Sequence, residues 1–489
     1  MAVQIRNVNR DQLLLLSPSI DDWVAKNDSV RFYVETVEKL GLKLEDFHLN
    51  HRGTGDKMYD PLMMLTLVLY SFSQGRFSTR KMEKAARNDI PTRFITANQI
   101  PDHTTIARFI NNNEKVLRTV FTKVLLLAKE MGLVQMKCVS LDGSCFRANA
   151  SVDKNRTTAQ LREETARLQK LFDECVAKTR EAELDEADED EALPEAMNTP
   201  EKLRKQLELA KKRLQERQRV DEEAEAQMSE KDKARLAKYR EEKRQYEQLR
   251  ESRADQVVDV SKKETHEDDH DDDTPNGGSE SEILKAPKPP LKNRKTTQLL
   301  YPTERKLNTT DIESRHMTKR TMQGSDQCWN VQVAMDADTR VVVGGLVTNG
   351  PDVTQLLPTV ASIPSEVGHS EELVADRGYF SKSNLEGLES QGIHPTIPSQ
   401  VPITPEAGKK NHLKDPYLIA HAQAAASPHS QTSLRKRKTT VEPLFGCIKS
   451  ILGFRAFLRR GLSKVNQEFL LLLTTLNLRR LSGEKGFQW

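Results

Sequence analysis

The strongest constraint on how this chain can fold is a long interruption. From Thr157 to about Lys295 it turns polar and densely charged, and the strand-forming segments lie on either side. The acidic run EAELDEADEDE and the stretches EKLRKQLELAKKRLQERQ and KARLAKYREEKRQYEQLR combine helix formers with opposite charges at helical spacing. Leu161 and Leu168, then Leu203, Leu207, Ala210 and Leu214, then Leu236, Tyr239 and Tyr246 mark apolar seams too narrow for a globular core. They suit long helices pairing as an antiparallel coiled coil. HEDDHDDDTPNGGSESE reads as disordered, being too charged and too rich in turn formers to fold, and KAPKPPLKNRK reads as a stiff linker. A sheet built by this chain must therefore draw strands from both sides of the insertion.

At 489 residues the chain is long enough for two or three domains. Charged residues make up 30% of it and aromatics 5%, in keeping with a sizeable part lying outside any core. The net charge of +3 conceals an asymmetry: from Gln431 to Trp489 there are twelve Lys or Arg against three Asp or Glu. That end should attract phosphate. The five cysteines form no CxxC pair, which excludes a zinc site or a disulfide framework and suggests reduced thiols. MAVQIRNVNRDQ lacks the layout of a signal peptide, and the apolar run Leu62 to Leu69 is broken by Thr66 and too short for a bilayer. The expectation is a cytoplasmic protein with no membrane partner.

From about Asp28 to Gly132 the pattern is helical. Asp60 before Pro61 is an N-cap followed by a first-turn proline, the apolar segment after it stops at Gly75, Ser78 can cap the next helix, and PDHTTIARFINNN starts another. The helix through VLRTVFTKVLLLAKEM ends at Gly132. Strand signals follow at KCVSL (137–141), QCWNVQVAM (327–335), RVVVGGLV (340–347) after the DADT turn, ELVA (372–375), and 393–397. Helices are expected from about Asp352 and through SKSNLEGLESQ. This order implies a mixed α/β sheet flanked by helices.

Asp142 follows KCVSL, and Asp376 follows ELVA in VADRGYF, each with a glycine close behind. An aspartate at such a place is also an ordinary turn residue. If the two strands are neighbours, however, their charges repel and call for a cation. Glu442 lies in RKRKTTVEPLFGCIKSILGFRAFLRRG on an amphipathic helix with Val441, Leu444, Phe445 and Ile448 as its buried stripe, and Lys449 is two turns beyond. A surface ion pair would explain a lone glutamate equally well. Its setting is unusual, with a basic block before it and Arg455, Arg459 and Arg460 after it.

In order, SLDGS, WNVQVAMD, LVADRGYFS and the Glu442 block resemble the catalytic blocks of bacterial insertion-sequence DDE transposases. YDPLMMLTLVLYSFSQGRFSTRKMEKAARND and PDHTTIARF resemble the InsH-type helical module that precedes them. The resemblance implies a helical, helix-turn-helix-like DNA-binding domain over 1–132 and an RNase H-like catalytic domain over 133–156 and 296–489, leaving 157–295 as the charged insertion. It implies that Asp142, Asp376 and Glu442 are a DDE triad holding two Mg²⁺ ions, with Mn²⁺ able to substitute. The reaction it implies is hydrolysis at the element's ends followed by transfer of the freed 3′-OH to target DNA. Lys449 and Arg455 are the first candidates for phosphate contacts, then Arg435, Lys436, Arg437 and Lys438, with Arg459 and Arg460. Arg108, on the helix around Thr104 to Asn111, would reach a base or phosphate of the terminal inverted repeats, although that helix would equally suit a packing role. The expected partner is double-stranded DNA bound by a homodimer at the bacterial nucleoid. A nuclease or integrase on the same fold would share the triad, and an inactive or domesticated DNA-binding derivative would share the fold. Related transposases often carry a Tyr and an Arg before the glutamate, and here Arg435 and Lys438 stand at those positions.

Overall fold

The computed structural model describes residues 19–49, 58–184, 200–226, short stretches between 230 and 245, 306–318, 325–403 and 412–483. The first twelve residues, most of the acidic run, the 266–282 segment, the 285–295 linker, Leu236 and Tyr246 lie outside the described residues. The chain divides into two compact units, one made of Met1–Val152 with Glu313–Trp489 and the other of Asp153–Ile312.

The first unit begins with helices whose starts are written in the sequence. Asp28 accepts from the Val30 N–H to cap α1 (Ser29–Lys39), and Asp60 accepts from Met63 at the head of α2 (Pro61–Ser73). Next come α3 (Thr79–Asn88) and α4 (Ile90–Thr96), then α5 (His103–Asn112), whose cap Asp102 accepts from Thr104 and Thr105, and α6 (Glu114–Glu130). Ser78 occupies the N-cap of α3 without a side-chain cap bond. The segment Met64–Ser73 of α2 is buried on every side because α1, α4 and a helix from the far end of the chain surround it.

Among the described residues, six strands of this unit form one sheet. β1 (Cys138–Arg147) lies at its centre. It pairs antiparallel with β5 (Ser325–Asp336), from Val139 opposite Asp336 to Arg147 opposite Cys328. On its other edge it pairs parallel with β7 (Glu372–Ala375), ending at Leu141 opposite Ala375, and β8 (His394–Thr396) pairs parallel with β7. Both β6 (Val342–Thr348) and β4 (Arg315–Thr318) pair with β5. The hairpin between β5 and β6 is held by Asp336, whose buried carboxylate accepts from the Asp338 and Thr339 N–H groups and from Gln135 and Met136. On the sheet pack α9 (Leu356–Ala361), α10 (Lys382–Glu389) and α12 (Pro428–Gly446), α11 (Pro416–Ala424) precedes α12, and α13 (Leu462–Leu481) ends the chain.

α13 is buried along most of its length and packs on α2, α6 and β6, so the helical module and the sheet share one core. Its Asn477 accepts from the Val342 N–H and donates to the Val342 carbonyl, stitching the helix to the sheet edge.

The second unit contains a two-stranded ladder, β2 (Asn155–Arg156) with β3 (Leu307–Asn308), and the paired helices α7 (Thr158–Leu184) and α8 (Pro200–Ala226). Leu161, Leu203, Leu207, Ala210 and Tyr239 are buried, while Leu168 and Leu214 are half-buried. Arg213 and Glu164 approach across the helix pair at 3.9 Å. Among the described residues no helix is long and apolar enough to cross a membrane.

Candidate active site

Asp142 lies inside β1 rather than after it, because pairing with β5 carries the strand on through Arg147. The parallel ladder with β7 ends one residue before both aspartates, so Asp142 and Asp376 stand at the same level, where the pairing of β1 with β7 stops. Each turns one oxygen onto its own following N–H, Asp142 to Gly143 at 2.8 Å and Asp376 to Arg377 at 2.6 Å. Burial pushes the Asp142 carboxyl above its usual range, the positive charge of Arg437 and the Gly143 N–H counter that shift, and the charge of Asp376 adds to it.

α12 brings Glu442 across this strand end. Thr440 donates to Ser140 at 3.3 Å and Ser433 to Glu372 at 3.0 Å, while Val441 and Leu444 are fully buried beneath the helix. The bond between helix and site is Arg437. Its Nη1 lies 2.9 Å from Asp142 Oδ2 and its Nη2 lies 3.7 Å from Glu442 Oε1. The guanidinium side chain is 7% exposed, and its Nε is buried without a hydrogen-bond acceptor. The Glu442 side chain is 54% exposed. Arg437 falls four, seven and eleven residues before Val441, Leu444 and Ile448, all buried, so it shares their stripe. That phase singles it out from its basic neighbours: Arg435 and Lys438 are exposed, and Lys436 pairs with Asp338.

Beyond Pro443 the helix widens into a π-helical stretch, Cys447–Ile451. It carries Lys449 onto β1: Nζ donates to Ser144 Oγ at 2.6 Å and sits 4.6 Å from the centroid of the Phe146 ring. Ser144 is two residues from Asp142 and therefore on the same face of the strand. Arg455 is exposed and donates from Nε to the Lys449 carbonyl.

The opposite face of β1 carries a polar network that the sequence reading did not anticipate. Tyr379, three residues after Asp376, donates to Gln332 Oε1 at 2.5 Å. Gln332 donates to Asp352 at 2.9 Å and to Asn330 at 3.0 Å, and Asn330 donates to Asp352 at 2.7 Å. Gly143 leaves room for it, since a Cβ there would stand 2.5 Å from Gln332 Nε2 and 3.0 Å from the Tyr379 hydroxyl. Burial raises the Tyr379 hydroxyl far above its usual range, and the charges of Asp352, Asp142 and Asp376 add to the effect, so it remains a donor. The network ties the turn after Asp376 to β5.

The other expected cations lie apart from the carboxylates. Arg459 is half-buried, donates to Gln467 at 2.8 Å and contacts Asn111. Arg460 donates to the Asn149 carbonyl at 2.9 Å, and Arg108 is exposed on α5. Beside Arg459, Glu468 is buried and accepts from the Leu458 and Arg459 N–H groups, with its carboxyl pushed up to about 7 by burial.

Among the described residues, no three His, Cys, Asp or Glu are grouped closely enough to hold a metal together. The donors beside the end of the β1–β7 ladder nevertheless suit a hard divalent cation: they are carboxylate oxygens on adjacent strands, and the negative charge of Asp376 adds to the effect of burial in raising the Asp142 carboxyl.

A mixed sheet whose central strand has an antiparallel hairpin on one side and parallel strands on the other, flanked by helices, is the arrangement of an RNase H-like domain. Residues 303–478 match the model for the transposase DDE domain, and residues 18–112 match that for the transposase domain DUF772. Matches to these two domains in this order are consistent with an insertion-sequence DDE transposase. The first match contains Asp376 and Glu442 but begins beyond β1, so Asp142 is joined to them by the pairing of β1 with β7 and by Arg437. No curated protein and no solved structure matches the chain.

Proposed function

We propose that this chain excises and inserts an insertion sequence, with its helical module holding the terminal inverted repeats and Asp142, Asp376 and Glu442 carrying the strand chemistry. What supports this is that Asp142 and Asp376 stand on adjacent strands just past the end of the β1–β7 ladder, and that Arg437 contacts both Asp142 and Glu442. Asp142 and Asp376 would hold two Mg²⁺ ions, or Mn²⁺ in their place, with Glu442 completing the set when Arg437 gives way. Bound there, the ions would activate the attacking oxygen and stabilise the leaving one.

The chain's own groups position the substrate. Lys449 offers its charge two residues along β1 from Asp142, where a scissile phosphate would be drawn in, and Tyr379 keeps the Asp376 turn fixed to β5. Arg435, Lys436, Lys438 and Arg455 extend the cationic surface along the DNA, with Arg459 and Arg460 beyond them. In the first step water attacks the phosphorus at the element's end and the P–O3′ bond breaks, leaving a 3′-OH on the element and a 5′-phosphate on the flank. In the second that 3′-OH attacks a target phosphodiester, and the displaced target 3′ oxygen takes up a proton. Pairing two ends calls for a homodimer on DNA, at the bacterial nucleoid. The α7–α8 pair we read as an antiparallel coiled coil inserted between the first and second strands of the catalytic sheet.

The test is incubation of purified protein with Mg²⁺ and duplexes carrying the element's ends. Nicked 3′-OH ends and joined products are expected. Binding without any strand breakage would leave only a DNA-binding derivative, and cleavage without joining a nuclease.

A further inference from the structure

α3 presents a face that neither the catalytic site nor the packing of the module uses. Met82, Ala85 and Ala86 are its buried residues. Arg80, Lys81, Lys84 and Arg87 are exposed. At 100° per residue these four cations fall within an arc of about 120°, and from Arg80 to Arg87 they span about 10 Å. Elsewhere in the module Arg31, Arg76 and Arg118 are matched to the acids Asp21, Asp89 and Glu114. Arg80, Lys81 and Lys84 form no ion pair or hydrogen bond among the described residues. The one acid on the helix, Glu83, is engaged: it pairs with Arg87 at 3.1 Å and accepts from the His103 N–H and approaches His103 Nδ1 at the start of α5. By contrast α5 exposes Arg108 together with Thr104, Asn111 and Asn112, and the acid Asp102 caps its N-terminus.

We infer that α3 is the helix of this module that lies on the phosphate backbone of duplex DNA, with Arg80, Lys81 and Lys84 as its phosphate contacts. The occupant follows from charge complementarity. Three unmatched cations along one short helix face suit a polyanion with regularly repeated charges, and such contacts give affinity and register without reading bases. The Glu83–His103 link then holds α5 beside the backbone-bound helix, where its polar face is available for base edges. This inference rests on the DNA-binding role proposed above for the module.

The experiment measures binding of the full chain, at 50 to 200 mM salt, to a duplex carrying the element's end and to an unrelated duplex of equal length. Wild type is compared with a triple Arg80→Gln, Lys81→Gln, Lys84→Gln variant and with a charge-preserving Arg80→Lys, Lys81→Arg, Lys84→Arg variant. Each lost phosphate contact lowers the slope of log K against log salt by about 0.9, so the neutral triple should lose roughly 2.7 on both duplexes while the charge-preserving variant keeps the slope. If the triple fails to fold, the three single Gln variants should each lose about 0.9. An unchanged slope in the neutral variants overturns the inference. Equal wild-type affinity for the two duplexes would instead defeat end recognition, and the slope comparison would still decide the role of α3.

Discussion

Removing the Arg437 guanidinium while keeping its bulk, as in Arg437→Met, tests whether this residue is the internal counter-ion of Asp142 and Glu442. The arginine side chain is 7% exposed and that of Asp142 20%, at 2.9 Å, so the change leaves a largely buried carboxylate without its cation. Such a loss costs about 3–5 kcal/mol. The Gly143 N–H still bonds to Asp142, which favours the lower end, and the 3.7 Å contact with the exposed Glu442 adds little. A loss of about 3 kcal/mol corresponds to a fall in melting temperature of roughly 5–10 °C in EDTA. Because a divalent cation and the guanidinium compete for the same oxygens, added Mg²⁺ should raise the melting temperature of the variant more than that of wild type. Adding Asp142→Asn to the variant should recover part of the loss, since the unpaired charge is then gone. The reasoning is refuted if the variant melts with wild type in EDTA, or if Mg²⁺ stabilises both equally.

Three further outcomes follow from the surrounding structure. Tyr379→Phe leaves Gln332 Oε1 without its donor, at about 1–3 kcal/mol, and by loosening the Asp376 turn should slow strand cleavage on the order of ten- to a hundredfold while end binding in gel shifts is unchanged. Gly143→Ala places a Cβ against Gln332 and Tyr379 and should cost about 1–3 kcal/mol in denaturant titration, with a similar loss of cleavage. Glu468 has a folded-state carboxyl pushed up to about 7 from an ordinary 4.5, so its contribution to stability is full below about pH 4.5 and falls away as pH rises to about 7. The change amounts to about 3 kcal/mol, and the stability of Glu468→Gln relative to wild type should therefore increase across that window in urea titrations.

Much of this architecture is legible in local chemistry. Asp60 before Pro61, Asp102 before its helix, and ELVA as a strand are decided by capping and periodicity within a few residues, and the structure has them there. What depends on distant partners is less visible. KCVSL reads as a short strand ending before Asp142, whereas the strand runs to Arg147 because β5, nearly two hundred residues later, pairs with it. Asn330 and Gln332 look like the wet positions of an alternating strand, yet both are buried, since Asp352 and Tyr379 arrive to satisfy them. Arg437 stands among four consecutive cations and is distinguished by the phase of Val441, Leu444 and Ile448 rather than by its own type. The π-helical stretch that turns Lys449 onto Ser144 has no signal in residue composition.

The central claim is that Asp142, Asp376 and Glu442 act as one site, although the charged insertion separates the first from the others. Cleavage of end-bearing DNA in Mg²⁺, run beside gel shifts on the same preparations, tests it most directly with Asp142→Asn, Asp376→Asn and Glu442→Gln. The expected result is that each variant binds the ends as wild type does and cuts neither strand. Wild-type cleavage by any one of them would remove that residue from the site, and cleavage by Asp142→Asn would break the link across the insertion on which the site depends.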